Sequence, residues 1–435
     1  MAEPLAGAHA ASGEARIVRT VTMRLLPLLI LLYTVAYVDR SVVGFAKLQL
    51  AADIGLGDTA YGFGAGLFFI GYFLFELPSN ILLTRVGARR WFARILVSWG
   101  VVTVLMATIR TPLAFYVLRF LLGAAEAGLY PGIVFYLTRW YPQRHLGRIL
   151  GLFLMAQPFA LIMTGPLSAW LLGLDGALGL RGWQWLFVVS GVPAVLLALP
   201  TLVLLPDDLA AARWLSNGDR RWLAAALAEE TPPPHAAAAG EWRGVFRDGR
   251  VLRLALALLP FPLAVYGVTL WLPTLLAAGG RALPVAGLLF AVPYVFGAIA
   301  LWVVPRRSDR AGQRHGYVIG NALLAALGLA GSAALPGTLF PLAALCLAVF
   351  GLYASQSVFW TLPSAMLTGT AAAAGIAIIN SVGNLGGYLG PFLMGVIKEQ
   401  TGRTTDGLYV LAGSLLLTIW IMAGERRRAG GDRAP

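Results

Sequence analysis

Charge is what this sequence has least of. Of its 435 residues only 12% are Asp, Glu, Lys or Arg, against about 25% in an ordinary soluble domain. Hydrophobic residues make up 58%, and the mean hydropathy is +0.75. A soluble globular chain of this size is excluded. Cysteine is nearly absent: Cys346 stands alone in an apolar run, so no intrachain disulfide is possible and a disulfide scaffold is excluded. The four histidines, His9, His145, His235 and His315, all fall in predicted tails or loops. No His-Glu-x-x-His or Cys-x-x-Cys spacing occurs, so neither a metal nor a cofactor is expected. The absence of a P-loop argues against pumping driven by ATP. Residues 1–20 lack an apolar core and carry Glu3, Glu14, Arg16 and Arg19, which reads as a polar tail and not as a cleaved signal.

Long apolar runs are what is present. Twelve candidate spans cover roughly 22–46, 62–84, 91–109, 113–138, 148–173, 183–205, 252–278, 283–304, 316–335, 338–364, 373–397 and 406–424. Each is long enough to cross a hydrocarbon core of about 30 Å. The organisation predicted is a tail over 1–21, a six-helix bundle over 22–205, a linker over 206–250, a second bundle over 251–424 and a tail over 425–435. The net charge of +13 is explained by topology. Only six of the 33 Lys and Arg fall in odd-numbered connections: Lys47, Arg110, Arg181, Arg281, Lys398 and Arg403. Most others flank the even-numbered side, so the positive-inside rule puts both termini in the cytoplasm. Nucleic acid is not an expected partner. The linker holds Pro232-Pro233-Pro234 and, around 209–228, a pattern of Trp214, Leu215, Trp222 and Leu223 against Arg213, Arg220 and Arg221 that predicts an amphipathic helix on the membrane surface.

Two short motifs recur at one offset. Arg85-x-Gly87-x-Arg89 returns as Arg310-x-Gly312-x-Arg314, and Gly165-Pro166 as Gly390-Pro391, each displaced by 225 residues. A shared offset near half the chain favours two homologous bundles with a binding site between them at midplane. The expected fold is therefore all-α, integral to the membrane, with twelve helices in two pseudo-symmetric six-helix bundles.

A charge near the bilayer centre costs several kcal/mol, so each one is a functional candidate. The spans hold Asp39 and Arg40 in span 1, Glu76 in span 2, and Arg119 and Glu126 in span 4, while the interiors of spans 7–12 hold none. Asp39-Arg40 lie about seven residues from the outer end of span 1 and Arg119 about six from that of span 4, so at ~1.5 Å per residue they share a level. Glu126 lies near midplane, seven residues on from Arg119 and on the same helical face. Two readings stay open: structural ion pairs, Asp39 with Arg119 or Arg40 with Glu126, or a site that binds an anion and titrates protons. The second is preferred, because Ser or Asn would suffice to hold helices together. Glu76, before Leu77-Pro78-Ser79-Asn80, reads as a structural hydrogen-bonding residue. Tyr37, Gln157, Tyr266, Gln356, Ser357, Trp360, Asn380 and Asn384 each read singly as packing or interhelical residues. Trp183, Trp185 and Trp420 suit interfacial belts.

Taken together, these segments resemble the major facilitator superfamily, and within it the anion:cation symporter family. The resemblance rests on Tyr37-Val-Asp39-Arg40, on Phe69 through Asn80 leading into Arg85-Val-Gly-Ala-Arg-Arg-Trp91, and on Arg119 through Gly132. It implies proton-coupled uptake of a small organic anion by alternating access, in a monomer embedded in the bacterial inner membrane. It further implies that Asp39 and Glu126 carry protons, that Arg40 and Arg119 meet substrate, and that Tyr37, Gln157, Trp360 and Asn380 face the cavity. Arg85, Gly87, Arg89, Asp309, Arg310, Gly312 and Arg314 would serve gating. One departure is that Thr84 stands where the second copy keeps Asp309, so no ion-pair latch is expected in the N-terminal half. The branch looks like tartrate, phthalate and hydroxyphenylacetate carriers. Other classes weighed are a membrane enzyme or receptor, and a proton-coupled drug antiporter, the last disfavoured because Gly165-Pro166 continues as Leu167-Ser168.

Overall fold

The computed structural model describes residues 3–230, 248–278, 280–366 and 369–431, with side chains described over 13–229, 248–278, 280–363 and 375–428. Pro232-Pro233-Pro234, the side chain of His9, His235 and the last residues of the C-terminal tail lie outside the described residues. Apolar runs of this length satisfy their backbone inside a bilayer only as helices, and helices they are. The spans are span 1 (Glu3–Ile54), 2 (Asp58–Val86), 3 (Ala88–Met106), 4 (Pro112–Glu126 and Leu129–Thr138), 5 (Gln143–Leu154 and Ala156–Leu172) and 6 (Gly182–Leu204). The second set is span 7 (Gly249–Leu258 and Pro260–Ala277), 8 (Leu283–Ala311), 9 (Arg314–Ala334), 10 (Leu339–Phe359), 11 (Gly369–Thr401) and 12 (Thr404–Gly431). Ten of these are apolar enough to cross a membrane on composition alone. Span 3 falls short because Arg89, Arg90 and Arg94 occupy its first two turns.

Packing repeats every six spans. Span 1 lies against 5 and 6 as span 7 does against 11 and 12; 2 lies against 4 as 8 does against 10; 3 lies against 4 and 6 as 9 does against 10 and 12. The two sets meet along pairs 2 and 11, 5 and 8, and 1 and 7. This is the pattern of a duplicated bundle about an axis along the membrane normal. Side chains such as Leu77, Leu113, Trp302 and Trp420 stand exposed on the outside of the bundle, where lipid would cover them.

Several expectations need correction. The first helix runs unbroken from Glu3, so residues 3–21 are helical and continuous with span 1; Arg16 pairs with Asp219 at 2.6 Å, and Glu14 meets Arg144 and His145. Span 1 also continues to Ile54, which moves Lys47 from a connection into a buried helical position. The linker helix is Asn217–Glu230, and its neighbourhood packs on protein instead of on lipid: Leu215 and Leu223 are buried, and Trp214 stacks on Trp140 at 5.9 Å. Trp183 is not a belt residue. It is buried and its indole donates to Asp53 at 2.7 Å, whereas Trp420 is 76% exposed.

The end of the bundle opposite the chain termini is closed by contacts between the two sets of spans. Asp58 of span 2 accepts from Lys47 at 2.6 Å and from Lys398 of span 11 at 3.0 Å, and Lys47 Nζ sits 3.4 Å from the ring centroid of Trp271 on span 7. Glu399 of span 11 accepts from the Thr59 backbone of span 2 at 2.8 Å, and within the second set the Trp271 indole donates to the Pro391 carbonyl at 3.0 Å. Toward the terminal end, the last hydrogen bond between the two sets among the described residues is Asn380 to Glu76.

Spans 2 and 4 approach so closely that a Cβ on Gly123 would lie 1.9 Å from the Phe68 carbonyl oxygen. Backbone cannot yield as a flexible side chain would, and overpacking of this kind costs about 1–3 kcal/mol or more. Gly123→Val is expected to abolish recovery of monodisperse protein on size exclusion in detergent. Gly151→Ala, where a Cβ meets nothing within 4 Å, is expected to leave it unchanged.

Candidate functional site

A cavity of about 140 Å3 lies between the two sets of spans, below the ~300–1,000 Å3 of pockets for drug-sized molecules. Its polar wall is laid out by helical spacing. Tyr33, Tyr37 and Arg40 lie on one face of span 1, and Phe69, Tyr72 and Glu76 on one face of span 2. Gln157 comes from span 5, Tyr266 from span 7, Tyr353, Gln356, Ser357 and Trp360 from span 10 and its C-terminal edge, and Asn380 and Asn384 from span 11. The structure thus places Tyr37, Arg40, Gln157, Trp360 and Asn380 on one cavity. Glu76, Tyr266, Gln356, Ser357 and Asn384 join them. Read singly these were unremarkable, and only their convergence on one space distinguishes them from packing residues.

Neighbouring residues on a helix point about 100° apart, and this separates Asp39 from Arg40. Asp39 turns into the N-terminal bundle, where its two oxygens accept from the Trp99 indole at 2.8 Å and the Ser190 hydroxyl at 2.9 Å. Arg40 turns to the cavity and pairs with Glu126, with Nε donating to Oε1 at 2.8 Å and a closest approach of 2.6 Å. Its NH1 donates to the Tyr266 hydroxyl at 3.4 Å, and its guanidinium stands about 5 Å from the rings of Tyr37, Phe68 and Tyr72. The Tyr37 and Tyr266 hydroxyls are themselves 3.2 Å apart, joining the two sets of spans at this level.

Glu126 is wholly buried just behind Arg40, with Oε2 unpartnered. Span 4 does not continue unbroken past it. Ala127 is extended, Gly128 takes φ 89°, a conformation that favours glycine, and the helix restarts at Leu129. The break is held by the Ser79 hydroxyl, which donates to the Ala127 carbonyl at 2.6 Å and accepts from the Trp91 indole at 3.0 Å. Ser79 and Trp91 were not expected at the site. The signal available was Gly128 inside an apolar span, a place where a helix can be interrupted.

Arg119 was expected to meet substrate, but it lies outside the cavity wall. It is 1% exposed behind Phe68, its NH2 donates to the Ala65 carbonyl at 2.8 Å, and its Nε and NH1 have no hydrogen-bond partner. Of the two ion pairs weighed from sequence, Arg40 with Glu126 forms, while the Asp39 oxygens go to Trp99 and Ser190.

The repeated loop motifs sit at the terminal end. Gly87 and Gly312 both take positive φ, 93° and 66°. Arg85 and Arg310 are exposed, and Arg314 reaches Asp309 at 3.9 Å and donates to the Thr361 carbonyl at 3.3 Å. The first copy does have an acid, supplied from the end of span 6: Asp207 accepts from the Arg89 backbone N–H at 3.0 Å and lies 3.6 Å from its side chain. The expectation that no latch exists there is corrected, since a partner 118 positions away cannot be read from the motif itself.

Residues 29–391 match the family described as Major Facilitator Superfamily. A quinolone resistance transporter of Acinetobacter baumannii is 50% identical, with 95% of this chain and 97% of that protein covered. A putative tartrate transporter of Agrobacterium vitis is 42% identical over 93% of this chain and 90% of that one. Among solved structures, the inward open conformation of the xylose transporter XylE from E. coli aligns with TM-score 0.74 over 93% of this chain and 95% of that one; at 15% identity this is a likeness of fold.

Proposed function

The chain belongs to the major facilitator superfamily, and we propose that it is a proton-coupled importer of a small organic carboxylate. It is a membrane transporter of small molecules and not an enzyme. The observation that carries the finer reading is the Arg40–Glu126 pair, with the guanidinium on the cavity wall and the carboxylate sealed behind it. While Glu126 is ionised it occupies the guanidinium. A proton on Glu126 releases Arg40 to a substrate carboxylate, so anion and proton bind together and leave together. Asp39 carries the same proton in series with Glu126 in this reading, so that one proton crosses with each substrate, and Arg119 acts on both carboxylates through the field of its buried charge. With both termini in the cytoplasm, as the basic loops suggest, the contacts around Asp58 shut the outer face and the cavity communicates with the inside. The domain division at 22–205 and 251–424 then describes two bodies that rock about the cavity. Gating falls to the motif loops around Gly87 and Gly312 and to the Arg89–Asp207 contact.

A second reading has one observation in its favour, the quinolone resistance transporter at 50% identity. Proton antiport would expel an organic compound against the same gradient. Proteoliposomes decide between them: with acid outside, symport concentrates labelled carboxylate inside, whereas antiport does not.

Replacing Arg40 by Lys keeps the charge and loses the planar fork. Charge-assisted hydrogen bonds contribute about 1.5–3 kcal/mol each, so Arg40→Lys is expected to weaken binding of every carboxylate roughly ten- to hundredfold in a competition assay. Trp360→Leu, which alters the opposite wall, is expected to reorder tartrate-like, phthalate-like and phenylacetate-like acids without that uniform loss. The reverse assignment of effects would refute a division between a gripping half and a shape-reading half.

A further inference from the structure

Glu76 is a carboxylate that the transport reading does not use. It lines the cavity from span 2, its Oε1 accepts from the Asn380 amide at 3.2 Å, and its Oε2 has no hydrogen-bond partner. The charges at the cavity are unbalanced as a result. Arg40 is neutralised by Glu126, and the lining contributed by spans 7–11 holds no Asp, Glu, Lys, Arg or His among the described residues. Asp39 and Arg119 lie in the layer behind and bring one charge of each sign. With one proton on Glu126 to free Arg40, the cavity presents a cation on span 1 and an anion on span 2. A substrate with carboxylates at both ends would place one of them against Glu76. A substrate with a carboxylate at one end and a cation at the other would match both.

The cavity that holds both poles is largely aromatic, with Tyr37, Phe69, Tyr72, Tyr266 and Trp360 among its walls. Ring faces suit a planar substrate and also attract an ammonium group. Resting on the carboxylate-import reading, we propose that Glu76 is a specificity-determining residue and that the preferred substrate class is a zwitterionic aromatic acid. Its carboxylate lies on Arg40, its ring between the aromatic walls, and its protonated amine on Glu76 beside Asn384.

The test uses the purified full-length protein with three probes: benzoate, phthalate and 4-(aminomethyl)benzoate. Binding is followed by thermal shift, and uptake by proteoliposomes under an inward proton gradient. In the unaltered protein the amino acid is expected to bind at least tenfold tighter than benzoate, and phthalate weakest. In Glu76→Gln the advantage of the amine is expected to vanish while phthalate gains; Glu76→Asp, which keeps the charge, is expected to keep the order. Equal loss of all three probes in Glu76→Gln would assign the residue to structure and overturn the proposal. Tightest binding of phthalate, with its pH-driven uptake lost in Glu76→Gln, would make Glu76 a second proton carrier and equally overturn it. Benzoate is the reference: if it is neither bound nor taken up, the carboxylate reading falls and this inference with it. If benzoate is taken up and the amine confers no gain, this inference alone falls.

Discussion

Glu126→Gln is expected to abolish accumulation of substrate against its gradient while leaving exchange across the membrane intact. One proton per substrate and one pH unit across the bilayer supply about 1.4 kcal/mol, enough for roughly tenfold accumulation. The amide nearly preserves the volume of the buried side chain and can still meet Arg40, so the break in span 4 and its Ser79 clamp should persist. What it cannot do is take up and release a proton, and Arg40 then remains permanently open to anion. Labelled substrate inside proteoliposomes should therefore equilibrate to a ratio of about one under a pH gradient, with counterflow of preloaded substrate retained. Tenfold accumulation by this variant would remove Glu126 from coupling and leave Asp39, whose two oxygens are held by Trp99 and Ser190, and Glu76 on the cavity wall as the remaining intramembrane carboxylates.

The second large effect is expected at the closed end. Asp58 holds Lys47 and Lys398, one from each set of spans, and Lys47 lies over Trp271. Removing the anion leaves two cations facing one another across the interface. Breaking a fully buried ion pair costs about 3–5 kcal/mol. The Asp58 side chain is 26% exposed, so roughly 2 kcal/mol is a fitting figure, enough to shift the balance of conformations more than tenfold. Asp58→Asn is expected to open this face. A single cysteine in place of the buried Tyr61, whose hydroxyl meets the Leu270 carbonyl of span 7 beside the close approach of Gly62 to the Pro391 carbonyl, in a variant lacking Cys346, should react with an impermeant maleimide from outside much faster in the Asn variant, and net uptake should fall with it. Unchanged labelling would show that close packing around Pro391, and not the shared carboxylate, keeps the face shut.

Fold class was legible from the sequence alone. Twenty-residue apolar runs have one way to satisfy their backbone in lipid, and the offset of 225 between Arg85 and Arg310 and between Gly165 and Gly390 exposed the duplication. The expense of a charge inside a bilayer likewise singled out Asp39, Arg40, Arg119 and Glu126 before any coordinates. Tertiary structure decided how those four divide. Adjacent residues on a helix diverge by about 100°, so Asp39 and Arg40 reach different surroundings, and which of them meets the cavity depends on how span 1 is rotated against spans 5, 6 and 7. Depth arithmetic put Arg119 at the right level, but level does not specify azimuth, and Phe68 stands between it and the cavity. Glu76, Tyr266 and Asp207 gain their meaning from partners on other helices. Local pattern holds no record of such pairings, because they arise only when two apolar faces, interchangeable in the sequence, are packed in one particular rotation.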